Sequence, residues 1–256
     1  MMTRVTHRRV LVSALFVVAT IIPSWAGTHF PGAPLVVELE RLATHYHEDP
    51  PRLDKIREGL TEAAKSDPRV ESLVALARVC FIWGDIRATT RERKLEAYEE
   101  GRQAAKRASE LDPKNVAAHF WYGANTGRWG QTKGVVRSLF LLPTVREAIE
   151  TVLALDPTFT AVYSLAGNVD YEVPGLFGGD LDRAETMFRK GLELDPKFTG
   201  MRVGLAKTLI KKGRIVEARR ELETVLDEQA PRNLADWTLK DSKEARTLLD
   251  SLRGRS

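Results

Sequence analysis

The chain has 256 residues, 43% apolar and 29% charged, with 18 glycines, 12 prolines and one cysteine. That composition excludes a disordered, collagen-like or disulfide-stapled protein. The formal charge of +4 is concentrated at the start: the first 26 residues hold Arg4, Arg8 and Arg9 and no acid, leaving 36 basic against 35 acidic residues in the remainder. A nearly neutral remainder gives no ground for a nucleic-acid partner, since phosphate neutralisation drives that binding.

The basic start leads into an apolar run from Val10 to Trp25, broken by Pro23, with small residues at Ser24 and Ala26. This pattern predicts a secretory signal peptide over 1–26 and an exported, periplasmic chain over 27–256. The run is shorter than the about 20 residues of a spanning helix, so no membrane span is expected after processing. No cysteine follows the predicted cut, which removes the simplest route to a lipid anchor.

A helix is predicted from Leu35 to His47, placing His45 and His47 on different faces and leaving no basis for a metal site. Cys80 lies in the apolar stretch 74–83 and reads as a buried small hydrophobe. From there the chain repeats itself. Asp-Pro recurs at Asp67-Pro68, Asp112-Pro113, Asp156-Pro157 and Asp195-Pro196. Proline disfavours helical geometry at the residue before it, so each pair should close one helix and open a turn into the next. Between them run amphipathic segments such as 183–194, with Ala184, Met187, Phe188, Gly191 and Leu192 on one stripe. No segment alternates with a period of two, and the expected class is all-α.

The intervals between these prolines are 45, 44 and 39 residues. The surplus over a plain helix pair is assigned to loops at 84–92, 127–143 and 171–180, which would build a surface on one edge of the array. Thr89 with Glu92 and Thr144 with Glu147 have capping-box spacing, and Asp180 is placed to cap a helix from Leu181. The segment 135–142, with Val135, Leu139, Phe140 and Leu142, is apolar at nearly every residue and must be covered, by the repeat stack, by another copy or by a partner. The stretch from Asn233 to Leu252 reads as a final amphipathic helix capping the stack.

These features resemble the tetratricopeptide repeat (TPR), a 34-residue antiparallel helix pair with small residues at its eighth, twentieth and twenty-seventh positions. Counting Thr199 as position one, Ala206 falls at eight, Gly213 at the turn and Ala218 at twenty; Gly167 and Gly123 fall at eight in the units starting at Thr160 and Val116. The expected fold is an α-solenoid of about four TPR-like hairpins with loop insertions. Small side chains there let backbones approach and the stack bury a continuous core.

More narrowly, 116–129 together with the Pro-Gly-x-x-Gly-Gly-Asp turn at Pro174, Gly175, Gly178, Gly179 and Asp180 resembles the TatT family of helical periplasmic components associated with TRAP transporters. That resemblance implies a solute-binding protein as partner, a small organic or hydrophobic ligand passed to or from it, and assembly into rings. Mapping the repeat's groove positions onto this chain gives Phe120, Arg128, Asn168, Tyr171, Lys207, Ile210 and Lys211. Trp121, Trp129 and Phe177 join them as candidate contacts. The aromatic, amide and cationic mixture suits an extended or acidic peptide.

The glycine-rich turn lacks a P-loop ending and carries Asp180 where a phosphate would sit. No hydrolase, zinc or redox motif is present, so neither catalysis nor a cofactor is expected. A general scaffold for envelope assembly is the alternative function. Beyond binding proteins, an envelope sugar- or lipid-modifying enzyme would need ionisable groups clustered in one cleft.

Overall fold

The structure is a computed structural model that describes residues 30–254; the predicted leader lies outside them. Five helix pairs follow one another: α1 (Ala33–Leu42) and α2 (Arg52–Ser66), α3 (Val70–Ile86) and α4 (Arg91–Leu111), α5 (Val116–Lys133) and α6 (Val135–Leu155), α7 (Ala161–Glu172) and α8 (Leu181–Leu194), α9 (Thr199–Lys211) and α10 (Ile215–Asp227). One helical turn, α11 (Leu234–Asp236), a π-helical stretch Trp237–Asp241 and α12 (Ser242–Ser251) complete the chain. No strand occurs among the described residues. The fold is the expected all-α solenoid, with a pair more than the sequence count because α1 and α2 precede the first Asp-Pro.

Each Asp-Pro does what its chemistry demands. Asp67, Asp112, Asp156 and Asp195 end α2, α4, α6 and α8 with nearly identical extended backbones, φ −135 to −149° and ψ 89 to 95°. Beyond the prolines, the Oδ1 atoms of Asp112, Asp156 and Asp195 accept the backbone N–H of Lys114, Thr158 and Lys197 at 3.1, 2.8 and 3.0 Å. The carboxylate thus replaces the helical bonds that the proline removes.

The surplus residues lie elsewhere than expected. The segments 84–92 and 127–143 are mostly helical, giving α4, α5 and α6 lengths of 21, 18 and 21 residues against 13 each for α9 and α10. The apolar period of 145–152 continues back through 135–142, and the break falls at Gly134, whose φ of 118° only glycine adopts readily. Only 173–180 remains a true inserted connection. The caps shift accordingly: Thr90, not Thr89, accepts the Arg93 N–H at 3.2 Å, and Thr144 lies within α6 and caps nothing. Asp180 caps α8 as predicted, accepting from Asp182 and Arg183 at 2.8 and 3.0 Å. α1 also ends early, at Leu42, and in the following turn the rings of His45 and His47 stack 6.4 Å apart, not on opposite faces.

Small residues set the spacing of the pairs. A Cβ on Gly167 would lie 2.6 Å from Phe188, and one on Gly204 equally close to the same fully buried ring. Phe188 is therefore clamped between α7 and α9. Two blocks of apolar side chains run through the array, and Trp121 packs against both. Cys80 is fully buried, as expected, and burial pushes its thiol well up.

The C-terminal stretch is more than a cap. Besides packing on α9 and α10, it reaches the other end of the array: Ala235 N–H donates to Thr44 O at 2.9 Å, Asn233 Nδ2 to Ala43 O at 3.2 Å, and the Tyr46 hydroxyl to Asp236 at 2.5 Å. Leu239 packs into the first apolar block. The Thr199 hydroxyl donates to Asp241 at 2.7 Å; burial nevertheless pushes that carboxyl up to about 6.

Candidate interaction surface

In stacked hairpins the first helices of successive pairs line the inner face. Asp85, at the end of α3, is its hub. The Tyr98 hydroxyl donates to it at 2.6 Å, Arg128 of α5 pairs with it at 3.2 Å, and Lys240 of the C-terminal stretch lies 3.5 Å away. Arg128 also stacks over Phe81 at 5.5 Å. Further along, Lys211 sits 3.6 Å over the Tyr171 ring and donates to its carbonyl at 3.0 Å, while Lys207 lies 5.3 Å above the same ring and pairs with Glu244. Asn168 donates one turn back to Ser164 at 2.8 Å.

The inner face therefore brings together Tyr171, Lys207 and Lys211, with Arg128 held separately at Asp85. Phe120 is not among them. It is 9% exposed and packs on Phe159 and Trp121 at 5.1 and 4.9 Å, because the α6–α7 turn folds over it. Trp121 is half-buried core. Trp129 faces a different side, under Arg102, Lys133 and Arg137 at 5.2 to 5.7 Å. Asp85 is not legible because 84–92 reads as a loop, and Lys240 is not because 233–252 reads only as a cap. The apolar spacing of Val79, Trp83 and Ile86 was the signal that the helix continues. The open trough expected from the repeat pattern is partly filled, since 237–244 lies across it.

The second surface is the edge formed by the turns inside the hairpins. The Pro174–Asp180 turn is fastened from both flanks: Arg146 and Arg183 each donate to Gly178 O at 2.6 Å, and Arg183 pairs with Asp170 at 2.7 Å. Gly178, at φ 88°, presents that carbonyl. Pro174 and Gly175 are exposed, Gly179 packs on the Val173 carbonyl, and Leu176 and Phe177 project into solvent. On the neighbouring tip, Val135, Val136 and Phe140 are 71%, 75% and 76% exposed, while Leu139 and Leu142 are half-buried. Of the three coverings open to this segment, the repeat stack supplies only the one on its inward face, and a concavity of about 440 Å³ opens beside Lys133 and Arg137.

A cleft of about 580 Å³ between α2 and α4 gathers ionisable groups, but its buried members are tied to each other. Arg57 stacks 4.5 Å over Trp83 and bonds Glu100 at 2.6 Å. Hydrogen bonding from Arg87 holds the Asp54 carboxyl below the usual range. These pairs join α2, α3 and α4. Likewise Glu185, with Lys212, Arg189 and Arg214, ties α8 to the α9–α10 turn. Among the described residues, no His, Cys, Asp or Glu cluster could hold a metal ion.

The tetratricopeptide repeat model TPR_19 matches residues 178–240. The crystal structure of TTC0263, a thermophilic TPR protein of Thermus thermophilus, aligns with a TM-score of 0.60 at 20% identity, covering 83% of this chain and 96% of that one. PilF of Pseudomonas aeruginosa aligns with a TM-score of 0.51 at 18% identity, over 88% and 95%. These likenesses establish the TPR fold. No curated protein matches the chain. The family model RMD1-3, Regulator of microtubule dynamics protein 1-3, matches residues 38–177, more than half of the chain. By that match the chain belongs to the RMD1-3 family.

Proposed function

We propose that this protein is an exported, non-catalytic scaffold that takes an acidic, extended segment of a protein partner along its inner face. The observation that carries the reading is the strip of Tyr171, Lys207 and Lys211, where two ammonium groups share one aromatic ring. Such a strip offers a carboxylate two ammonium groups together with a flat apolar platform. Its rim stays open while 237–244 occupies the middle, so recognition uses a short segment at this end of the trough. A general scaffold is the reading this supports. A solute-binding protein, the narrower partner, rests on the Pro-Gly-x-x-Gly-Gly-Asp turn; regulation of microtubule dynamics is carried by the family's name. Neither sets the chemistry of the strip.

Titration with an acidic extended peptide tests the proposal by calorimetry. Salt-sensitive binding is expected, reduced at least tenfold in Lys207→Glu/Lys211→Glu, since two reversed charges remove about 2 kcal/mol or more of attraction. A silent titration, or unchanged affinity in the double variant, contradicts it.

A further inference from the structure

Exposed apolar side chains are not scattered over this molecule. Among the described residues, the large apolar side chains more than 70% exposed are Val135, Val136, Phe140, Leu176 and Val216. Val135, Val136 and Phe140 follow the α5–α6 turn, Leu176 lies in the α7–α8 connection, and Val216 is the second residue of α10, after the α9–α10 turn. Stacked hairpins put their internal turns on one edge, so these five residues form a row of tips along it. At the opposite edge, where the Asp-Pro turns run, the corresponding leucines Leu111, Leu155 and Leu194 are only 38 to 54% exposed.

The charge along this edge has one sign where the apolar row is densest. From Lys133 to Arg146 the chain contains Lys133, Arg137 and Arg146 and no acid. Among the described residues Lys133 and Arg137 form no ion pair and both lie over Trp129, while Arg146 pairs with Asp170 at 3.5 Å. Protruding apolar tips backed by cations and an interfacial tryptophan match the two attractions an anionic lipid surface offers, apolar insertion and headgroup charge. A second copy fits less well, because an isologous contact centred on this patch would bring the Lys133 and Arg137 side chains of both copies together. Among the described residues no helix is long and apolar enough to cross a membrane.

We propose that the hairpin-turn edge, centred on Val135, Val136 and Phe140 with Lys133 and Arg137, docks the protein onto an anionic membrane surface. The docking leaves the inner face turned sideways and open to a protein partner, and it does not depend on what that partner is.

The test is co-sedimentation of the full chain with vesicles of phosphatidylcholine alone and of phosphatidylcholine mixed with phosphatidylglycerol. The apolar stretch 10–25 is present in every variant, so the effect of edge substitutions decides. Wild type is expected to bind the anionic vesicles preferentially and to be released by salt. Val136→Ser/Phe140→Ser should lower partitioning at least tenfold. Lys133→Gln/Arg137→Gln should lower it roughly twentyfold on anionic vesicles and little on neutral ones. All four side chains are at the surface, and an unchanged melting temperature confirms that the variants fold. Absence of vesicle binding, or equal binding by wild type and both variants, overturns the proposal. So does loss of an oligomer in Val136→Ser/Phe140→Ser without any vesicle binding by wild type, which assigns the edge to a second copy.

Discussion

Phe188→Ala is expected to destabilise the protein by about 4 kcal/mol, near the middle of the range for a fully buried aromatic truncated to a methyl. The ring fills the space between Gly167 and Gly204, and those glycines have no side chain to collapse into the vacancy. The cavity should persist, so the loss includes its full volume term as well as the transfer term. For a chain of this size the melting temperature should fall by roughly 10 °C. Calorimetry or urea unfolding reads the loss directly, and a fall of less than about 1 kcal/mol would mean that α7, α8 and α9 are not held by this clamp.

Glu185→Gln should cost about 2 kcal/mol at neutral pH, less than a deeply buried pair because the surrounding cations reach solvent. Burial alone would raise this carboxyl. Hydrogen bonds from Lys212, Arg189 and Arg214 outweigh that and lower it from 4.5 to about 2. A carboxyl lowered on folding stabilises above its unfolded value and loses that contribution as pH falls through its folded value. The difference between wild type and Glu185→Gln should therefore be full above about pH 5, shrink between pH 4.5 and 2, and vanish below. Urea unfolding across that range measures it; a difference independent of pH would show that the loss comes from packing instead.

What the sequence carries well is local. Asp-Pro fixes four helix ends because proline acts on its immediate neighbour and the aspartate bonds two residues on. Asp180 caps α8 for the same reason. Repeat spacing puts Gly167 at the small eighth position, and the structure sets that position against Phe188. Registry failed where the neighbouring turn intervened: Phe120 occupies a groove position of the ideal repeat, yet Phe159 covers it. Length surplus reads as loop because a plain repeat has short helices, although 135–142 lacks any breaker before Pro143 and simply extends α6. Closure of the array was least legible. The hydrogen bond from Tyr46 to Asp236 spans 190 positions, and no local pattern records such a pairing.

The same closure decides what the inner face can do, since 237–244 occupies the centre of the trough and leaves its rim. An engineered pair, Thr44→Cys/Ala235→Cys, tests it most directly. The Ala235 N–H donates to the Thr44 carbonyl at 2.9 Å, so the two segments meet at this pair, and Cys80 is buried. Mild oxidation of the folded protein should give a nearly quantitative intramolecular disulfide, seen as a faster-migrating band that reductant abolishes. Free thiols persisting at both positions, in a protein that otherwise melts like wild type, would contradict an array closed by its own C-terminal segment.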